Sequence, residues 1–285
     1  MIRLVTVIGH GVNLLPHFIN HYKSYVDEIN IVCYNSDLHP NITDQVGKAI
    51  SEFDNVKIVK EIYHQNFDWE MVTNMYNLIK LIHPNDWWVV SDIDEFHLYP
   101  NDDLRKLISD CEENGWEMAR GGFIDRIGEG GNFPAIRKDV SLWQQMPVMG
   151  FFRYPMSQAC PNKICVMKGY ITLTNGQHYA NIDGQTTWRW QGWNHPLIAP
   201  IDTHSVQVHH FKWDRTSIER VKKVADTNKD YSYSSEYLRM YEELKKSDFL
   251  INLDNPEYMI DVDGYNGKYE KYKNWNKLIK KIISI

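Results

Sequence analysis

The chain has 285 residues, enough for one large α/β domain or two small ones with a sizeable core. With 43% hydrophobic and 24% charged residues it is not a disordered chain, and a net charge of −6 argues against general nucleic-acid binding, which calls for a basic balance. No apolar run is long enough to span a bilayer, and the opening MIRLVTVIGHGVN has no cleavage-site pattern, so the expected location is cytoplasmic.

In chain order, the first third alternates strand and helix signals. IRLVTVIG (2–9) is a β-branched run ending at glycine, and NLLPHFINHYKSYV carries Leu14, Leu15, Phe18, Ile19 and Tyr22 at helical spacing. EINIVCYN (28–35) is a second strand that closes in the polar cluster Asn35, Ser36 and Asp37. A helix is predicted over 43–53, a strand over 55–62 (NVKIVKEI) and a helix over 69–82. DWWVVSDID is the fourth strand and runs directly into acids.

Such alternation indicates βαβ units and a mainly parallel sheet with flanking helices. Ligands of these sheets sit beyond the carboxyl ends of the strands, which gathers Gly9 to Gly11, Asn35 to Asp37 and Asp92 to Glu95 at one edge. After residue 115 the Gly-rich and aromatic segments RGGFIDRIGEGGNFP, SLWQQMP, KICVMKGYITLTNGQHYA and QTTWRWQGWNHP read as short strands and loops covering that crevice. VQVHHFKWD (206–214) is a last strand leading into the helix SIERVKKVADTN, and further helical stretches finish the chain. Cys33, Cys111, Cys160 and Cys165 are scattered without a CxxC pair, which fits reduced core thiols.

Asp92, Asp94 and Glu95 pose a physical question, because clustered carboxylates are costly to bury without a cation among them. On an extended strand, Asp92 and Asp94 point the same way and could face one Mg²⁺ or Mn²⁺ ion. A turn of solvated acids is the alternative, and the second DxD, Asp261 and Asp263 in DVDG, reads that way. His209 and His210 face opposite sides of their strand, so one of them can reach the site. Asp125 beside Arg126 offers either a carboxylate base or a surface ion pair, and His178 after a turn reads as structural. Trp188, Trp190 and Trp193 could stack on sugar rings or fill core, and the lysine-bearing C-terminal helix either docks on the domain or makes peripheral membrane contact.

Together, VTVIGHGVNLLPHFINHYKSYVDEINIVCYNSD, DWWVVSDIDEFHLYP, GGFIDRIGEGG, SLWQQMP, NGQHY and HHFKW resemble the glycosyltransferases of the family 2-like group with a GT-A fold, in the branch whose metal motif reads DxDEF. The resemblance spans residues 2 to about 225, which implies a GT-A domain over 1–225 and a helical extension over 226–285 packed on it. It implies transfer of a sugar from a nucleoside diphosphate, UDP being the commonest, to a glycan or lipid-linked acceptor hydroxyl, with inversion, in surface-polysaccharide or other glycan synthesis. By motif, Asp92 and Asp94 match the metal and nucleotide acids, His210 the late histidine before an aromatic, and Gly9, His10, Asn35, Ser36 and Asp37 the nucleotide pocket. Asp125 matches the DR position on the acceptor side, where it would act as base. A divalent ion, Mn²⁺ or Mg²⁺, would stabilise the charge that develops on the departing β-phosphate.

Two rivals remain. One is a phosphatase with an aspartyl nucleophile, which lacks support because Phe96 follows Asp94 and Glu95 where Thr or Val belongs. The other is a non-catalytic carbohydrate-binding protein of the same fold, for which the clustered acids would have no use.

Overall fold

The computed structural model describes residues 1–150, 152, 156, 162–182, 185–186, 195–227 and 234–255. Cys160, Trp188, Trp190, Trp193, the Asp261 and Asp263 pair and the C-terminal lysine-bearing helix lie outside the described residues.

Strands β1 (Ile2–Ile8), β2 (Glu28–Asn35), β3 (Val56–Tyr63) and β4 (Trp87–Val90) alternate with helices α1 (Leu15–Tyr22), α2 (Ile42–Ile50) and α3 (Trp69–Lys80). Beyond them come β5 (Glu95–Leu98), α4 (Leu104–Asn114), β6 (Met118–Ile127), α5 (Leu142–Gln145), β7 (Val148–Gly150) and β8 (Asn162–Lys168). The small strands β9 (Thr172–Leu173), β10 (Ala180–Ile182) and β11 (Gln185–Thr186) form a separate sheet. Helix α6 (Ile201–His204), β12 (Val206–His210), α7 (Ser217–Thr227) and α8 (Ser234–Lys246) complete the described elements. None of the described helices is long and apolar enough to cross a membrane.

The large sheet runs β3-β2-β1-β4-β8-β6-β12-β5, with β7 paired to β6. Its first half, β3 to β4, is parallel, and β8 enters antiparallel to both β4 and β6. Period-two alternation divides the core between the two faces. Leu4, Ile8, Trp87 and Val89 pack with residues of α1, α2 and α4, whereas Val5, Val7, Trp88 and Val90 pack with Val72, Tyr76 and Ile79 of α3. Each such buried side chain contributes about 1.5–3 kcal/mol. This is an α/β architecture, a central sheet between flanking helices.

The chain advances from β1 through β2 to β3 in one direction and returns to place β4 on the other side of β1. The crevice between the carboxyl ends of β1 and β4 is therefore the topological switch point, where such sheets bind ligands. Asp68 accepts hydrogen bonds from amides in the first turn of α3, and Asp103 accepts one from the first turn of α4. Cys33, Cys111 and Cys165 are buried free thiols.

Two sequence expectations change. RGGFIDRI is not a short strand or loop covering the crevice but part of β6, a ten-residue strand buried along its whole length within the sheet, and KICVMK belongs to its neighbour β8. Glycine misled because here it serves close packing: a Cβ on Gly121 would lie 2.1 Å from the carbonyl oxygen of Val206. The fourth strand also stops at Val90, and residues 91–94 form a turn closed by Glu95 N–H donating to the carbonyl of Asp92 at 2.9 Å. Asp92 and Asp94 are thus not on an extended segment, and nothing compels them to face the same way. Val221 and Ala225 of α7 share a core cluster with Ile127, Trp213 and Met240.

Candidate functional site

The register of β12 assembles the site. His210 is the Cα partner of Asp125 on one side and of Glu95 on the other, so residues far apart in sequence meet at one sheet edge. His210 and His209 then point to opposite sides. His210 Nδ1 donates to Asp125 Oδ1 at 2.9 Å, and its Nε2 lies 3.6 Å from Asp94 Oδ2. His209 turns the other way, where its Nδ1 accepts from Arg126 Nε at 3.0 Å beside Trp143. Asp125 and Arg126 therefore do not form an ion pair with each other; the strand sends them to opposite faces.

Asp125 has no exposed surface. Its Oδ1 also accepts from Trp213 Nε1 at 3.1 Å, and its Oδ2 accepts from the amide of Phe152 at 2.9 Å. With both oxygens engaged inside the protein, this geometry suits holding the His210 ring and does not suit taking a proton from an acceptor hydroxyl. Burial alone would favour a neutral His210, but Asp94 and Asp125 outweigh it and raise its pKa. Burial likewise pushes the Asp94 carboxyl up, yet His210 and Arg220 prevail and hold it well below the usual carboxylate range.

The other acids find a different cation. Lys163 Nζ, at the start of β8, lies 2.9 Å from Asp92 Oδ2 and 2.8 Å from Glu95 Oε1. Asp92 Oδ1 accepts from Tyr76 Oη at 2.6 Å. Burial is the largest influence on each of these groups; Lys163 nonetheless pulls Asp92 down, while Glu95 is pushed up. The turn thus splits the DxD: Asp92 with Lys163, Asp94 with His210.

Basic groups also lie close to Asp94, since Arg220 and His10 both act on its carboxyl. Arg220 on α7 reaches His10 in the loop after β1, with Nη1 3.3 Å from His10 Nδ1, and its Nη2 donates to the carbonyl of Lys212 at 3.0 Å. Burial, then Arg220, lowers the His10 pKa to about 3, so the ring is neutral. Burial, then Lys223 and Arg220, lowers the pKa of His39 in the loop after β2. Gly9 is buried against Tyr34, with ordinary contact distances for an added Cβ. Asn35 faces away from the crevice mouth: its side chain bonds Thr43 at the start of α2 and Glu61 on β3. Ser36 is buried and accepts from the amide of His39, while Asp37 is exposed and accepts from the hydroxyl of the exposed Tyr63. His178 lies on the same side as Phe123, with its Nδ1 2.6 Å from the carbonyl oxygen of Asn162.

Asp94 and His210 fit a divalent ion as a pair. Two donors 3.6 Å apart can share one ion, and a ligating imidazole whose other nitrogen is held by a carboxylate is the usual supporting arrangement. Asp92 fits less well, since Tyr76 and Lys163 already donate to its oxygens. No cluster of three such ligands is drawn together among the described residues, so phosphate oxygens and water would fill the other positions.

Sequence reasoning missed Lys163, Arg220, Tyr76 and Trp213. A signal existed for the first: three clustered acids require a buried cation, and KICVMK is a largely apolar run that opens with lysine. Arg220 had only its place on a helix following the HHF strand.

No protein-family model matches the chain, and no curated protein matches it. Among solved structures it is similar to a 4-diphosphocytidyl-2C-methyl-D-erythritol synthase, at 16% identity over 59% of this chain and 75% of that chain, with a TM-score of 0.29. It is also similar to a Bacillus anthracis protein described as a glucose-1-phosphate thymidylyltransferase, in complex with sucrose, at 11% identity over 84% of this chain and 83% of that chain, with a TM-score of 0.28. At these scores neither likeness bears on substrate or reaction.

Proposed function

We propose that the chain is a glycosyltransferase that moves a sugar from a nucleoside diphosphate donor to an acceptor hydroxyl. The observation that carries this reading is the meeting of acidic and basic side chains near the switch point. Asp94 stands 3.6 Å from His210, and Arg220, which also acts on Asp94, contacts His10. A nucleoside diphosphate joined to a sugar needs both: cationic groups for its phosphates and acids that hold a divalent ion or hydroxyl groups.

In this reading Arg220, with the neutral His10 beside it, binds the diphosphate and opposes its growing charge as the bond to the sugar breaks. Asp94 and His210 would hold the ion, Mn²⁺ more readily than Mg²⁺, because an imidazole suits the softer of the two. When bound, that ion supplies Lewis-acid stabilisation of the leaving phosphate. Asp125 keeps the Nδ1 proton of His210, which leaves Nε2 aimed at the crevice. Asp37 and Tyr63, exposed at the ends of β2 and β3, form the rim where the nucleoside would lie.

The test is a thermal-shift series with UDP-, GDP-, CMP- and dTDP-linked sugars, with and without Mn²⁺. A ligand at 100 times its dissociation constant stabilises by about 2.7 kcal/mol. One nucleotide class is expected to raise the melting temperature, more strongly with Mn²⁺. A protein that only binds carbohydrate would respond to free glycans and to none of the nucleotides.

A further inference from the structure

The acid turn contains more negative charge than one divalent ion at Asp94 would need. Asp92, Asp94 and Glu95 lie within four residues, and Glu95 has almost no exposed surface. Lys163 answers that excess from 71 residues away in the chain. Its ammonium sits 2.9 Å from Asp92 and 2.8 Å from Glu95, with only 3% of its side chain exposed. The position is prepared from several directions. Lys163 pairs in register with Gly121, which has no side chain to compete for the space, and its Nζ lies 5.6 Å from the centre of the Phe123 ring. The amide of Asp92 donates to Glu95 Oε2 at 3.3 Å, and Tyr76 holds the remaining oxygen of Asp92.

We infer that Lys163 is a positioning residue that occupies, with its own ammonium, the cation place between Asp92 and Glu95, and so limits the site to a single divalent ion at Asp94 and His210. The inference rests on the donor-site reading above and adds to it a division of labour within the DxD turn. Asp92, fixed by Lys163 and Tyr76, is kept out of the metal's shell, and its part is to orient the turn and to accept from hydroxyl groups of the donor.

The chemistry of the lysine place explains why it matters. Two carboxylate oxygens that share an ammonium at just under 3 Å need move only several tenths of an ångström inward to reach the bonds of about 2.1 Å that Mg²⁺ makes. An ammonium carries one charge, keeps its hydrogen bonds without ligand exchange and is never lost to chelation. A second divalent ion there would repel the ion at Asp94 and compete with it for the substrate phosphates.

The test counts Mn²⁺ bound per chain, by the electron paramagnetic resonance signal of the free ion, in the wild type, Lys163→Arg, Lys163→Met and the double variant Lys163→Met/Glu95→Gln. The expected counts are one for the wild type and Lys163→Arg, two for Lys163→Met, and one again for the double variant, which lacks a carboxylate to complete the new place. If Lys163→Met is unfolded without metal, recovery of its folded circular dichroism on adding Mn²⁺ supports the inference equally. The inference is overturned if Lys163→Met folds and still binds one ion, if the wild type binds two, or if Mn²⁺ fails to restore an unfolded Lys163→Met. A wild type that binds none while Lys163→Met binds one would instead sink the metal at Asp94 and His210 and leave the role of Lys163 standing. A purely structural lysine would change stability without changing these counts.

Discussion

His210 Nδ1 lies 2.9 Å from Oδ1 of Asp125, a carboxylate 85 residues earlier in the chain with no exposed surface. The pair fixes both the tautomer and the direction of the imidazole: the carboxylate can only accept, so Nδ1 carries the proton and Nε2 is left for the crevice. Asp125→Asn keeps the shape but loses the charge that holds this tautomer. It is expected to weaken Mn²⁺ binding about 10–100-fold, measured by calorimetric titration. Were Asp125 the base for the acceptor, the same variant would bind Mn²⁺ normally and lose turnover alone.

Arg220 contacts His10 and also acts on the Asp94 carboxyl. Arg220→Gln is expected to raise the KM for the donor and the inhibition constant of the free nucleoside diphosphate about 10-fold, the size of one charge-assisted hydrogen bond. Inhibition by the nucleoside alone should be unchanged. Equal loss for nucleoside and diphosphate would place Arg220 outside the phosphate subsite.

The sheet's close packing gives a stability test away from the chemistry. Gly121→Ala puts a methyl group 2.1 Å from the Val206 carbonyl, part of the backbone of a central strand that cannot swing aside. The expected cost is at least about 3 kcal/mol, read from urea unfolding. An unchanged midpoint would mean that β6 and β12 are not paired as described.

The same glycine shows why the sequence was legible in one half and not in the other. The βαβ part declared itself because β-branched runs and helical spacing alternate from Ile2 to Val90, and the first three strands begin and end within a residue of expectation. Gly121 and Gly122 look the same in sequence whether they serve a loop or a close approach between strands, and only the partner strand distinguishes the two. The acids at 92–95 were visible, as was the need for a cation among them. What was hidden was the turn that separates Asp92 from Asp94, because four residues of apolar strand continue into it without a glycine or proline to mark the break. Choosing His210 over His209 needed the register of β12 against β5 and β6, which no single sequence supplies.

Lys80, at the end of α3, is fully buried, and its ammonium donates to the carbonyl of Ile171. Burial lowers its pKa to about 7 from the ordinary 10.5. Between those values the unfolded chain binds more protons than the folded one, so stability from this group rises as pH increases from 7 towards 10.5. Lys80→Met removes the penalty and should raise stability at pH 7 by on the order of 2 kcal/mol, with the advantage over wild type shrinking as pH rises. Parallel stability–pH curves for the two proteins would refute the buried-ammonium account.

The account turns on the carboxylate that faces His210. The most direct measurement is release of nucleoside diphosphate from the donor sugar that stabilises the protein best, followed in the wild type and in Asp94→Ala, with Mn²⁺ and after chelation with EDTA. The wild type is expected to turn over with Mn²⁺ and to stop in EDTA, and Asp94→Ala to lose at least about 100-fold, near 3 kcal/mol of transition-state stabilisation. Undiminished release by Asp94→Ala, or release by the wild type that EDTA does not touch, would contradict it.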